Sequence, residues 1–256
     1  MTEQAGTIAA ADGAPIAWRR RPGRGDGRPG VVFCGGFRSS MAGEKAGFLD
    51  GFAEARGLSF LRFDYRGHGA SGGSFTDLTL GDWIADARLV LDRLADGPQI
   101  LVGSSMGAWV ATRLAAARPD RVAGLVGIAA APDFTEDLML PALGAEGQAL
   151  MQRDGFIDRP SAYGDGPYRI TRALIEEARS HLLLRGPVPF QGPVRLLHGM
   201  ADPDVPWRQS AGLAEVLTSA DVRLTLVKDG DHRLSRPQDL DLLGQAVAEV
   251  LGAALP

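Results

Sequence analysis

Cysteine is almost absent from this 256-residue chain, with Cys34 the sole example. An internal disulfide framework and a multi-cysteine metal site are therefore excluded, and a reducing compartment fits. Lysine is nearly as scarce: of 27 basic residues, all but Lys45 and Lys228 are arginine, a bias that a GC-rich coding sequence accounts for without appeal to function. No uninterrupted apolar run approaches the roughly 20 residues needed to span a bilayer. A secretory leader is not apparent either, because Met1–Ala11 places Glu3 and Gln4 where basic residues would stand and has no sustained apolar stretch. The expectation is a soluble, cytoplasmic protein without integral membrane association. A formal net charge of −4 leaves no electrostatic footprint for a polyanion, so nucleic acid is not an expected partner. Arg19, Arg20, Arg21, Arg24 and Arg28 lie among glycines and prolines and read as a solvated loop before an anion-binding patch.

What is present is the composition of a folded domain, 45% hydrophobic and 23% charged, with enough apolar surface for one sizeable core. A single domain over residues 1–256 is expected, with no internal repeat. Short apolar runs alternate with longer amphipathic stretches, as in a mostly parallel sheet with helices on both faces. After a weak pair at Thr7–Ala11 and Ile16–Arg19, strands are predicted at Val31–Cys34, Ser59–Phe63, Gln99–Gly103, Val122–Ile128, Val194–His198 and Val222–Val227. Apolar spacings of three and four predict helices over Glu44–Arg56, Leu80–Ala95, Gly107–Arg118, Gln209–Leu217 and Leu240–Leu251. From Pro132 to Pro193 the alternation stops. That stretch has no strong strand but several helix-like pieces, notably Arg169–Leu184, and turns such as Gly164–Pro167. A structureless loop of that length is uncommon in a compact domain, so residues 132–193 are read as a small helical cap inserted before the last two strands.

The run Gly103-Ser104-Ser105-Met106-Gly107 joins a predicted strand to a predicted helix, the setting in which G-x-S-x-G has mechanical meaning. Glycines at both flanks leave room for neighbouring backbone in a sharp turn, so that Ser105 can present its hydroxyl at the carboxyl edge of the sheet. The start of the following helix favours developing negative charge there. Ser104 lacks the flanking glycines and reads as a small residue packed under the turn.

A serine hydroxyl needs a base, and histidine has the pKa for the task. His68, His181, His198 and His232 are available. In chains with this elbow the order is serine, then acid, then histidine after the final strand, which selects His232. His68 and His198 read as loop hydrogen-bonding residues and His181 as a surface residue of the cap. The acid belongs on a loop between nucleophile and base, where it fixes the imidazole tautomer. In His198-Gly199-Met200-Ala201-Asp202-Pro203-Asp204, Asp202 comes first after the strand and is preferred to Asp204. Asp231 adjoins His232 and reads as a solvated turn residue. The tetrahedral oxyanion of acyl transfer needs two N–H donors: Met106, after the nucleophile, supplies one, and Phe37 in Gly35-Gly36-Phe37 supplies the other.

With these residues placed, Phe63-Asp64-Tyr65, the run from Ala95 to Ser105, Arg195-Leu196-Leu197-His198-Gly199-Met200, Val205-Pro206-Trp207 and Asp231-His232-Arg233 resemble a known family. It is the mitochondrial palmitoyl-protein thioesterase family of α/β-hydrolases, also described as mycophenolic acid acyl-glucuronide esterase, and the likeness runs from about Val31 to Leu251. The resemblance implies an α/β-hydrolase fold, hydrolysis of S-acyl thioesters or acyl-ester conjugates, and a nucleophile, acid and base at Ser105, Asp202 and His232. The expected partner is a small-molecule ester or thioester, or an S-acylated protein, and the chemistry calls for neither metal nor organic cofactor. Lactonase, amidase, haloperoxidase-like or C–C bond hydrolase chemistry on the same fold is the main rival, ahead of a non-catalytic binding homologue. Within the cap, Leu138, Met139, Leu140, Leu182 and Leu183 are candidates for an acyl pocket, with helix packing their commoner use. Arg169 and Arg172 are candidates for a substrate carboxylate, against a solvated helix face.

Overall fold

A computed structural model gives the structure of residues 2–160 and 166–254. Its first half contains β1 (Gln4–Ala9), β2 (Pro15–Arg21), β3 (Gly30–Cys34), α1 (Glu44–Arg56), β4 (Phe60–Phe63), α2 (Leu80–Leu94), β5 (Gln99–Ser104), α3 (Met106–Ala117) and β6 (Val122–Ile128). Then come α4 (Leu140–Ala142), α5 (Gly144–Asp154), β7 (Phe156–Arg159), β8 (Tyr168–Thr171) and α6 (Arg172–Ala178). The chain closes with β9 (Val194–Gly199), α7 (Arg208–Val216), β10 (Val222–Val227) and α8 (Pro237–Ala253). Eight strands form one sheet in the order β1-β2-β4-β3-β5-β6-β9-β10, antiparallel only in the β1–β2 and β2–β4 pairings. The strands and helices predicted outside the cap are all present, with ends shifted by a few residues.

The central strands read as continuous apolar runs because helices cover both their faces. In β3 every residue is buried, and the period of two sends Val32 and Cys34 into one core and Val31 and Phe33 into the other. The first core holds Trp83, Val90 and Leu91 of α2 and Trp109, Val110 and Leu114 of α3. The second holds Leu49 and Phe52 of α1 and Leu243, Val247 and Val250 of α8. Local signals set the helix ends: α1 stops at Gly57 in the left-handed region (φ 66°), Asp82 accepts from the Thr79 N–H (2.8 Å) at the start of α2, and Pro237 opens α8.

The segment between β6 and β9 differs from its reading as a small helical cap without a strong strand. β7 and β8 form a separate antiparallel hairpin, so Tyr168–Thr171 is strand where the sequence pattern suggested the start of a helix. Four-residue strands are too short to display a convincing alternation. Pairing across the hairpin holds them instead: Ile157 faces Ile170, and Asp158 faces Arg169 in a two-pronged ion pair of 2.9 and 3.0 Å. Of the turn expected at Gly164–Pro167, residues 164 and 165 lie outside the described residues.

Three contacts hold this segment, one between its two ends and two to the helices α3 and α2. Asp133, fully buried at its entrance, accepts from the N–H groups of Leu183 (2.7 Å) and Leu184 (2.9 Å) at its exit. Trp109 of α3 donates its indole N–H to His181 O (2.9 Å), and the Gly81 N–H at the start of α2 donates to Glu177 of α6 (2.9 Å). Leu183 and Met139 are buried, Leu138, Leu140 and Leu182 pack against the first core, and Arg172 pairs with Glu176 (3.6 Å). The N-terminal arginines are similarly occupied: Arg19 pairs with Glu3, Arg20 with Asp96, Arg21 with Asp50 and Glu54, and Arg28 with Asp26.

Asp133→Ala would leave one buried and one part-buried N–H donor without an acceptor, at about 1–3 kcal/mol for the buried one and less for the other. We expect a loss of about 3 kcal/mol in chemical denaturation, with a smaller loss for Asp133→Asn, which keeps one acceptor. An unchanged denaturation midpoint for Asp133→Ala would remove Asp133 as the clasp of this segment.

Candidate active site

β5 runs into a turn at which Ser105 takes φ 54° and ψ −119°, a backbone conformation that a non-glycine residue adopts only when its surroundings enforce it. The enforcement is visible. The Ser105 N–H donates to Ile128 O of β6 at 2.8 Å, and its carbonyl accepts from the Ala108 N–H at 3.0 Å. A Cβ on Gly107 would stand 2.1 Å from Cys34 O, and one on Gly103 would stand 2.4 Å from Gly107 O. Both glycines are therefore sterically required, and the α3 start is pressed against the end of β3. Ser105 is partly exposed, and Ser104 beneath it is 8% exposed.

The loop after β3 lies against the same turn, since a Cβ on Gly36 would be 3.5 Å from Ser105 Cβ. Phe37 follows, its ring held edge-on by Phe75 (5.0 Å), Phe134 (5.6 Å), Trp83 (5.9 Å) and Tyr168 (6.2 Å). Met106 is fully buried and opens α3, so its N–H is one of the first-turn donors that an α-helix leaves unpaired.

Asp202 sits after β9 with no exposed side-chain surface and accepts from Nδ1 of His232 at 2.7 Å. Its Oδ1 accepts from the N–H groups of Asp204 and Val205, both at 2.8 Å. Asp204 itself is exposed and contributes backbone to the turn, while Asp231 accepts from the Arg233 (3.1 Å) and Leu234 (3.0 Å) N–H groups. His198, one turn before Asp202, was not assigned a role toward it, yet its Nε2 lies 3.2 Å from Oδ2 and 3.0 Å from Val205 O, with Ser210 Oγ on Nδ1 at 2.6 Å. Both contacts of Nε2 are acceptors, so that nitrogen carries the proton. Burial opposes the charged form of Asp202, but hydrogen bonds from His198, His232 and Val205 outweigh it and hold the carboxyl well below the usual carboxylate range. With Asp202 on Nδ1, His232 is fixed in the tautomer whose Nε2 can accept a proton.

A cavity of about 490 Å³ brings Ser105, His232 and Phe37 together with Ser104, Tyr168, Arg38, Lys45 and Arg233. Asp202 stands behind His232, outside the lining. Leu138, Met139, Leu140, Leu182, Leu183, Arg169 and Arg172 are absent from it, while Tyr168, from the unforeseen hairpin, is present. Arg38, at φ 57°, lays its guanidinium 4.8 Å over the Tyr168 ring. The other histidines lie elsewhere: His181 bonds Glu177 (2.6 Å), and buried His68 packs among Tyr65, Phe75 and Trp83. Cys34 is buried, and that burial pushes its thiol up to about 12, so it offers no nucleophile. Among the described residues, one group of metal-ligand type gathers within 4.8 Å, Asp202, Asp204 and His232, and it coincides with the Asp–His pair.

Residues 31–241 match the family model described as the alpha/beta hydrolase family. The chain belongs to the alpha/beta hydrolase family. Mouse palmitoyl-protein thioesterase ABHD10, mitochondrial, is 42% identical over 231 residues, 89% of this chain and 76% of the relative. Among solved structures, a protein from Agrobacterium vitis S4 has a TM-score of 0.93 at 43% identity, covering 98% of this chain and 100% of its own. Mouse alpha/beta hydrolase domain-containing protein 10 gives 0.89 at 39%, covering 97% and 98%. These relatives correct one expectation. The curated ABHD10 proteins are named mitochondrial, which overturns the cytoplasmic location. A compartment address is carried by processing segments apart from the fold, and composition near Met1 was not a sound basis for it. No described helix is long and apolar enough to cross a membrane.

Because the folded-state pKa of Asp202 is depressed, its ionisation stabilises the fold above the unfolded carboxylate value of about 3.9, and that contribution is lost as pH falls toward the folded value. The stability gap between the parent chain and Asp202→Asn should therefore be widest near neutrality and narrow below about pH 4. Urea denaturation across pH 3–7 reads it. A gap independent of pH would contradict the depressed carboxyl.

Proposed function

We propose that this chain is a serine hydrolase that cleaves carboxylic esters or acyl thioesters through an acyl-enzyme on Ser105. The observation that carries the reading is a strained serine turn opening into the same cavity as a histidine whose far nitrogen is held at 2.7 Å by a buried aspartate. Ser105 Oγ attacks the acyl carbonyl carbon as His232 Nε2 takes its proton, and Asp202 orients and stabilises the imidazolium. The N–H groups of Phe37 and Met106 hold the oxyanion. His232 returns the proton to the leaving oxygen or sulfur, then activates water to release the acid and free Ser105. In this scheme neither metal nor organic cofactor takes part.

The relatives named palmitoyl-protein thioesterase support the thioester side of the reading. The cavity fits a substrate with an apolar and a polar part, since Phe33, Phe37 and Tyr168 face it along with Arg38 and Arg233. We read residues 132–193 as a cap within the single domain 1–256, which contributes Tyr168 to the cavity wall.

A fluorophosphonate probe should label Ser105 in the parent chain and fail on Ser105→Ala, with kcat falling by roughly 10⁴-fold or more. Acyl thioesters and p-nitrophenyl esters should turn over faster than lactones or anilides. Turnover should decline toward acid pH, because an imidazolium cannot accept the serine proton. Wild-type turnover by Ser105→Ala, or a flat rate down to pH 4, would defeat the assignment.

A further inference from the structure

Lysine is used at two positions in this arginine-rich chain, and one of them, Lys45, lies in the wall of the cavity that holds Ser105. It stands in the first turn of α1, which directly continues the loop bearing Phe37. Its Nζ donates to Arg233 O and, at 3.3 Å, to Ser235 Oγ. Arg233 immediately follows His232. The amine thus links, in the cavity wall, the chain segment carrying the oxyanion-side donor to the loop carrying the base.

Other contacts of the base loop do a different job. Asp231 accepts from the Arg233 and Leu234 N–H groups, and Leu234, buried at φ 41°, anchors the turn, so these fix its local shape. The Arg233–Glu44 pair also reaches α1, at 3.6 Å, but its side chains are 60% and 61% exposed, and such pairs contribute little. Leu234 also shares the second core with Ala46 and Leu49 of α1, and the Ala201 N–H donates to Gly230 O (3.0 Å) from the loop after β9, so Lys45 adds the partly sheltered polar link that ties α1 to the residue next to His232. An ammonium suits the position, because its three rotatable donors reach a carbonyl and a hydroxyl together.

Resting on the roles assigned to Ser105 and His232, we propose that Lys45 is a positioning residue for the reaction, its ammonium holding the His232 loop at working distance from the serine. Burial pushes the amine down to about 8, with Arg233 adding to the fall and Glu44, Asp231 and Asp239 opposing it. A charge-assisted bond to a carbonyl is roughly twice as strong as a neutral one, so the link slackens as the amine loses its proton. The rate then has an alkaline limb near pH 8 that belongs to Lys45.

The test compares pH–rate profiles for a p-nitrophenyl ester in the parent chain, Lys45→Met and Lys45→Cys, the last before and after aminoethylation with bromoethylamine. Cys34 is buried, so the new thiol is the accessible one, and aminoethylation rebuilds an ammonium at nearly the lysine length. We expect Lys45→Met and unmodified Lys45→Cys to lose on the order of ten- to a hundredfold in kcat, as misplacement of a reacting group does, with KM within threefold. Both should lack the alkaline limb, and aminoethylation should restore rate and limb together. Lys45→Met within twofold of the parent chain, an unaltered limb, or a rise in KM alone overturns the proposal. Fluorophosphonate labelling of Ser105 runs beside it. If the parent chain is not labelled, the reading of the site itself fails; if it is labelled and the lysine variants behave as the parent chain, only the role of Lys45 falls.

Discussion

The site depends on backbone touching backbone. Gly107 of α3 meets the carbonyls of Cys34 and Gly35, and Gly103 of β5 meets the first turn of that same helix. No side chain can enter these contacts, so the serine turn and the loop of Phe37 are held together by the closest packing a polypeptide permits. The positive φ of Ser105 is the outcome of that crowding, stabilised by the bond to Ile128 and by the dense apolar packing of α3, whose Trp109, Val110 and Ala111 are fully buried. The strain is sustained by surroundings with no slack in which to relax it.

The acidic end of the site obeys an electrostatic constraint. A carboxylate with no exposed surface is tolerated only when its lone pairs are met, and Asp202 has two backbone donors and two imidazoles within reach. The two histidines divide the work. His198 is wholly buried and bonded on both ring nitrogens, whereas His232 keeps one edge toward the cavity. His198 thereby helps keep a charge under the surface for a neighbour placed where ligands can come.

Most of the main sheet could be read from sequence because its information is local. Val31–Cys34 and Gln99–Gly103 are unbroken apolar runs, and Leu80–Ala95 carries its own cap and periodicity. Ser105, Asp202 and His232 were nominated from motif and chain order; Ser105 and His232 line one cavity, and Asp202 is bonded to His232 behind it. What escaped depends on contacts distant in sequence. The hairpin of β7 and β8 is made by cross-strand pairs that neither strand announces alone. The reach of Lys45 to Arg233 joins residues 188 positions apart, and nothing in the run Gly43-Glu44-Lys45-Ala46 singles it out. Compartment, by contrast, was argued from what the first residues lacked, a signal unconnected to the fold.

Asp133 has a wider consequence. One carboxylate, carried on the departing chain of a long excursion, receives an N–H of the returning chain fifty residues on. The excursion therefore behaves as a graft on a fixed stump: its ends are specified by the host, and the entropy of closing a longer or shorter excursion changes only slowly with length. Descendants of such a chain are free to rebuild that roof, trading a hairpin for a helix or adding a turn, while the floor beneath it stays as it was.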